Sequence, residues 1–321
     1  MWSSQPSNHQ NHHTDPIRLR LRDIAQGTLE AIDEGHVVFA DVASNMLPLR
    51  HSLRVSNDDT VRGTEYYRPG STRLRYWEQG PPPAIAAEHH RHPSETQVRS
   101  MKMSTLQGAH FLSESCPTSK IGVLNFASTQ PGGGFINGGS AQEESIARSS
   151  TLFLSLLTPQ AKPFYELHDK DKNGGYYSNA MIYSPSIAIF RDDDGNWLRP
   201  YYVDVLTSPA VDAGLVRKLG YDGGSATEDR ILWVMRERMG RILALFEQGG
   251  TRNLVLGSFG TGVRQNDVVS LARIWGELLA APDARFRHSF DQVVFAIPDS
   301  HTLRKFDVGF KAAVDPLIPR L

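Results

Sequence analysis

Three short, almost wholly apolar runs, IGVLNFAS (121–128), NLVLGSFG (253–260) and QVVFAIPD (292–299), constrain the fold of this chain more than any other feature. A run without polar alternation needs cover on both faces, which a strand obtains inside a parallel sheet. Each run is followed, after a turn or loop, by an amphipathic stretch that reads as a helix: QEESIARSSTLFLSL (142–156), VVSLARIWGELLA (268–280) and HTLRKFDVGFKAAV (301–314). TQVRSMKM (96–103) reads as a further strand, leading into STLQGAHFLSES (104–115), a helix with Ser104 at its N-cap. MIYSPSIAIFRD (181–192) and YYVDVLTSPA (201–210) add strands, and TEDRILWVMRERMGRILALFEQGG (227–250) is a long helix, acidic at its start and closed by glycine. This alternation implies an α/β fold: a mixed, mainly parallel sheet with helices on both faces.

Before that core, PIRLRLRDIAQGTLEAIDEG carries apolar residues at Ile17, Leu21, Ile24, Ala25, Leu29 and Ile32 and ends in Gly35, the spacing of an N-terminal amphipathic helix. The first sixteen residues, MWSSQPSNHQNHHTDP, are polar and are expected to form a disordered tail with His9, His12 and His13 solvated. Residues 55–96 are rich in Pro, Gly, Arg and Tyr without a period and read as an irregular connection. The expected organisation is a tail over 1–16 and one domain over 17–321, with 17–95 an N-terminal extension and 96–321 the core.

No apolar run approaches the length of a membrane span, and the N-terminus lacks the apolar segment of a signal peptide. Cys116 is the sole cysteine, which excludes an intramolecular disulfide and suits a reducing compartment, so an intracellular location, cytoplasmic or nuclear, is expected. The formal net charge of −1 neither selects nor excludes a polyanionic partner; anion binding must come from a local site.

Two glycine-bearing loops leave the carboxyl ends of strands, where open α/β sheets bind ligands: Pro131 to Ala141, and Gly257 to Asn266. Each precedes a helix and can turn backbone N–H groups and a positive dipole end toward an anion, for which phosphate is the natural candidate. Neither matches the nucleoside triphosphatase or dinucleotide fingerprint. An ordinary tight turn remains open for the second loop, but two glycine clusters around Phe135, Ile136 and Asn137 weaken the chain without building an obvious turn.

VLNFAS, then PGGG, then QEE after seven intervening residues, followed by SIARSS, resembles the bacterial-type poly(ADP-ribose) glycohydrolases, whose signature is a GGG followed by QEE on a macrodomain core. MIYSPSIAIFRDDDG, YYVDVLTSPA, LVLGSFGTGV and VVFAIPD continue the resemblance in order and spacing, over residues 17 to 312 or so. It implies a macrodomain-like fold with an N-terminal helical extension. It also implies hydrolysis of ribose-to-ribose O-glycosidic bonds in poly(ADP-ribose), with no cofactor and no metal, and a part in reversing ADP-ribosylation, as in the response to DNA damage. The partners expected are the polymer or an ADP-ribosylated macromolecule, with ADP-ribose as product or ligand and no membrane.

By the same resemblance Glu144 is the general acid and base, and Glu143 and Asn125 hold ribose hydroxyls. Gln142 orients the pair. Gly132, Gly133 and Gly134 lie over the distal ribose, while Gly260, Thr261, Gly262 and Val263 wrap the diphosphate. Consecutive helical residues point about 100° apart, so the two glutamates need not share one task. Arg264 stands where the family carries an aromatic residue, and SPAVD (Ser208 to Asp212) replaces the usual end of its strand. An arginine pairs with phosphate or stacks but builds no rigid apolar wall. An ADP-ribose-binding module and a mono(ADP-ribosyl) hydrolase therefore stand as alternatives. Tyr176, Tyr177, Phe190 and Phe259 are candidates for stacking on adenine, or for plain packing.

Overall fold

Asp15 and Pro16 open the first helix, α1 (Pro16–Glu34): the Asp15 carboxylate accepts from the N–H of Ile17 at 3.0 Å, and Pro16 occupies a position that needs no donor. Gly35 closes it in the left-handed region, at φ 70°. The computed structural model describes residues 15–40, 47–80, 94–169, 173–220 and 224–315, so the polar tail expected over 1–16 lies almost wholly outside them. After α1 come an antiparallel pair, β1 (His36–Ala40) and β2 (Pro48–Ser52), then α2 (Arg54–Gly63), β3 (Glu65–Tyr67) and α3 (Thr72–Arg75).

The irregular connection expected over 55–96 is therefore corrected: α2, β3 and α3 occupy its first part, and residues 81–93 lie outside the described residues. No apolar period betrays α2 because its inward positions are hydroxyls. Thr60 is fully buried and donates to the carbonyl of Pro185 at 2.9 Å, and Thr64 donates to the carbonyl of Thr60 at 2.7 Å. Buried hydroxyls are accommodated only when paired in this way.

The remaining elements are β4 (Gln97–Met101), α4 (Thr105–Ser115), β5 (Ile121–Phe126), α5 (Gln142–Ser149), α6 (Leu152–Leu156), α7 (Lys162–Asp169), β6 (Met181–Arg191), β7 (Trp197–Ser208), α8 (Ala213–Leu219), α9 (Gly224–Gln248), β8 (Asn253–Leu256), α10 (Val268–Leu279), β9 (Gln292–Ala296) and α11 (Ser300–Val314). Ser104 and Gln107 form a reciprocal capping box at the start of α4. Seven strands form one sheet in the order β3-β6-β7-β5-β8-β9-β4. From β7 to β4 the neighbours are parallel, while β6 runs antiparallel to both β7 and β3.

Both faces are buried, and successive side chains alternate between them as strand geometry requires. Val123, Val205, Val255 and Val294 pack beneath α4, α5 and α7; Leu124, Leu206, Leu254 and Val293 pack against α9 and α10. Among the described residues no helix is long and apolar enough to cross a membrane.

The single helix expected over 142–156 is divided. Ser150 is extended (φ −152°, ψ 177°), bridges to Ile189 of β6 and donates its hydroxyl to the carbonyl of Ile146 at 2.7 Å. Ser149, Ser150 and Thr151 form a run whose hydroxyls offer the backbone alternatives to helical pairing. Helices α7 and α8 were not expected from the sequence, although Asp212 caps α8 by accepting from the N–H of Leu215 at 2.9 Å.

Candidate functional site

The carboxyl ends of β5, β7, β8 and β9 converge on a cavity of about 630 Å³. Its walls include Ser128, Gln142, Tyr177, Asp193 and the loop from Gly260 to Arg264. This is the side of an open sheet where strand ends separate and leave room for a ligand.

Gln142 fastens α5 to the end of β5. Its side-chain carbonyl accepts from the N–H of Phe126 at 2.8 Å, and its amide donates to the carbonyl of Leu124 at 2.7 Å. A glutamine satisfies one backbone donor and one acceptor together, which a carboxylate cannot do. The next residue, Glu143, is only 1% exposed and accepts from the backbone N–H groups of Ser128 and, at 3.2 Å, Gly132. Burial raises its pKa to about 7; hydrogen bonding from Ser128 and Asn125 acts in the opposite direction, and the charge of Glu144 adds to the rise. Asn125 itself is fully buried in β5 and donates to the Thr207 hydroxyl at 3.0 Å, while its carbonyl oxygen has no partner among the described residues.

Glu144 is arranged differently. Its Oε1 accepts from the N–H of Gly134 at 3.0 Å, whereas its Oε2 is buried without a protein partner among the described residues. The glycine loop encloses this carboxylate. A Cβ at Gly133 would lie 2.5 Å from Glu144 Oε1, and one at Gly139 would lie 2.9 Å from Glu144 Cγ. Gly132, at φ 66°, instead faces the rings of Phe135 and Phe153. The glycines thus serve first to let the loop close on Glu144, a need that a reading for ligand approach alone does not contain. Gln142 and Ser145 line the cavity on either side of the two glutamates, and the carboxylates lie behind that wall with Gly132, Gly133 and Gly134.

The second loop is latched from beneath. Asn266, 3% exposed, donates to the carbonyls of Val211 at 2.7 Å and Gly260 at 3.0 Å. Gly260, at φ 80°, leaves no room for a Cβ against Ala210. The Thr261 hydroxyl donates to Ser258 at 2.6 Å, Gly262 has open space where a Cβ would stand, and Val263 is 90% exposed at the tip. Arg264 turns back under the loop. Its guanidinium lies 4.5 Å from the Tyr177 ring centre and donates to the carbonyl of Ala127 at 3.1 Å. Tyr177 thus supplies an aromatic wall and Arg264 braces it. Of the other stacking candidates, Phe190 and Phe259 are fully buried, against Trp197 and Phe126 respectively, and Tyr176 is buried outside this cavity.

Three features were missed by sequence reasoning. Helix α1 braces the glycine loop: Arg18 Nε donates to the carbonyl of Asn137 at 2.8 Å, and Gly138, at φ 79°, packs directly against the Arg18 backbone. Arg148, one turn beyond Glu144, is buried and donates to the carbonyl of Gly139 at 2.7 Å; burial lowers its pKa, and the charges of Glu144 and Asp193 act against that shift. The β6–β7 hairpin curls over α4 and brings Asp193 to the cavity, where it accepts from the Ser104 hydroxyl at 2.6 Å; burial raises its pKa. The only sequence signal for the first was Gly138, and for the last the acidic run DDDG.

A family model for the microbial-type PARG catalytic domain matches residues 25–192. Among solved structures, poly(ADP-ribose) glycohydrolase from Thermomonospora curvata is 31% identical, with a TM-score of 0.75 over 90% of this chain and 99% of that one. The same enzyme bound to the inhibitor ADP-HPD is 32% identical, with a TM-score of 0.74 over 89% and 98%. The enzyme from Deinococcus radiodurans in complex with ADP-ribose is 32% identical, with a TM-score of 0.66 over 80% and 96%. A search of curated proteins returned no match. A family model over more than half of the chain, and relatives above 30% identity with the same fold along nearly their whole length, place the chain in the microbial-type poly(ADP-ribose) glycohydrolase family.

Proposed function

We propose that this protein hydrolyses the ribose-to-ribose O-glycosidic bond of poly(ADP-ribose) and releases ADP-ribose, with Glu144 as general acid and then general base. The observation that carries this reading is the asymmetry of Glu144: one oxygen is held by the Gly134 N–H, and the other is buried without a protein partner among the described residues. A carboxyl oriented through one oxygen leaves the second to protonate the departing hydroxyl and then to take a proton from water. In its ionised form it also stabilises the oxocarbenium-like ribose formed as the bond breaks.

Glu143 then sets the loop that its carboxylate pins at Ser128 and Gly132, and with Asn125 it binds ribose hydroxyls. Gly260 to Val263 receive the diphosphate, and Tyr177, braced by Arg264, bounds the sugar and base. Family membership and the complexes of relatives with ADP-ribose and ADP-HPD support this substrate. The substrates would be ADP-ribosylated macromolecules of the cytoplasm or nucleus. The same cavity and glutamate suit a mono(ADP-ribosyl) hydrolase, a second reading that Arg264 favours because it replaces an apolar wall with a cation.

Incubation of the protein with labelled poly(ADP-ribose), beside Glu144→Gln, tests the assignment. Release of ADP-ribose by the unaltered protein alone is expected. Binding of ADP-ribose without release from polymer would move the function to the mono(ADP-ribosyl) reading or to a binding module.

A further inference from the structure

A second, larger depression of about 890 Å³ shares one wall with the catalytic cavity, and that wall is Tyr177. Two consecutive tyrosines separate the two spaces, each beneath a guanidinium. Arg264 lies 4.5 Å over the ring of Tyr177 on the catalytic side, and Arg230 lies 4.6 Å over the ring of Tyr176 on the far side. Tyr177 adopts φ 53°, an unusual conformation for a residue with a side chain. One turn along α9 from Arg230, Trp233 is 68% exposed and lines the second depression. Ser178 and Asn179 add polar groups to its lining, and Leu215 and Leu219 of α8 add apolar ones.

An exposed tryptophan beside arginine and small hydrogen-bonding side chains is the composition that stacks a nucleobase and holds a diphosphate and ribose. A polymer gripped at one unit in the catalytic cavity must send its next unit somewhere, and the depression begins at the catalytic wall itself. Resting on the activity proposed above, we infer that the depression between α8, α9 and Tyr176 is a subsite for the adjacent ADP-ribose unit of the polymer, with Trp233 stacking its adenine and Arg230 facing its diphosphate. The subsite makes the protein grip two units at once, so that chains bind more tightly than monomer by the effective concentration of the tethered second unit.

The test compares the affinity of the full-length Glu144→Gln protein for ADP-ribose monomer and for poly(ADP-ribose) of defined length, with and without Trp233→Ala or Arg230→Ala. Polymer is expected to bind at least tenfold more tightly than monomer. Each added substitution is expected to remove about tenfold of polymer affinity and to leave monomer affinity within twofold, the loss typical of one stacked base. Equal affinities for polymer and monomer, or an unchanged ratio in both substituted proteins, would overturn the subsite. The proposed activity is scored separately, by polymer cleavage in protein that retains Glu144; absence of cleavage sinks that reading, while the affinity ratio still decides the subsite.

Discussion

Gly133 and Glu144 are in contact so close that no side chain fits between them: a Cβ at 133 would stand 2.5 Å from Glu144 Oε1, in a residue already at φ 58°. The glutamate is therefore positioned by an absence of side chain as much as by the hydrogen bond from Gly134. Gly133→Ala should lower kcat on polymer about 10- to 100-fold, because the loop must withdraw or the carboxylate must turn. The left-handed backbone adds about 1–2 kcal/mol of destabilisation. Steady-state kinetics with thermal unfolding check this; full kcat in a protein of lowered Tm would reduce the glycine to a structural role.

For Glu144→Gln the expectation is a fall in turnover by several powers of ten with ADP-ribose affinity within a few-fold, since an amide keeps the hydrogen bond to Gly134 but moves no proton. Single-turnover rates and calorimetric binding measure the two quantities. Comparable turnover in both proteins would remove Glu144 from the chemistry.

Glu143 gives a pH signature. Its folded pKa of about 7 is above its ordinary value of 4.5, so the folded state holds a proton that the unfolded state releases between those limits. Stability from this group is present at low pH and is lost as pH rises through 7, by about 3 kcal/mol in all. Urea unfolding at pH 4.5 and pH 8 should show the difference between the unaltered protein and Glu143→Gln shifting by that amount toward the variant. A pH-independent difference would mean that Glu143 carries no extra proton.

Gly138→Ala attacks the brace between α1 and the glycine loop, because its Cβ would penetrate the Arg18 backbone at a positive φ. A loss of about 3 kcal/mol is expected from strain and overpacking together. Faster proteolysis within α1 is the more specific readout. Unfolding that leaves α1 equally protected would show that the contact is incidental.

Arg264→Phe places an apolar side chain against Tyr177 while removing the guanidinium from the Ala127 carbonyl. Polymer cleavage should rise a few-fold if the cation limits it. An unchanged or lower kcat/KM would show that the Arg264–Tyr177 stack is itself a sufficient wall.

The parallel strands, the Gly35 end of α1 and both glycine loops were legible because apolar periodicity and chain reversals are local properties. Glu143, Glu144 and Asn125 were singled out by resemblance, because VLNFAS, PGGG and QEE stand in the order and spacing of the glycohydrolase signature. Helix α2 was not legible, since buried Ser56 and Thr60 replace the apolar stripe that marks a helix. The break at Ser150 depended on a bridge to Ile189, a partner that no window around residue 150 contains.

By itself, then, the sequence determined the α/β layering, the position of the cavity at the strand ends and the pair of carboxylates beside it. Only the tertiary structure decided how each of the pair is held, with Glu143 bonded to the loop backbone and Glu144 keeping one oxygen without a protein partner among the described residues. It also decided that Arg18, 119 residues away, holds the loop, and that Asp193 reaches the cavity from a distant hairpin. The physical reason is range: hydrophobic period and backbone conformation act between neighbours, whereas burial, pKa and the last hydrogen bond of a carboxylate depend on whichever segments the fold brings against it.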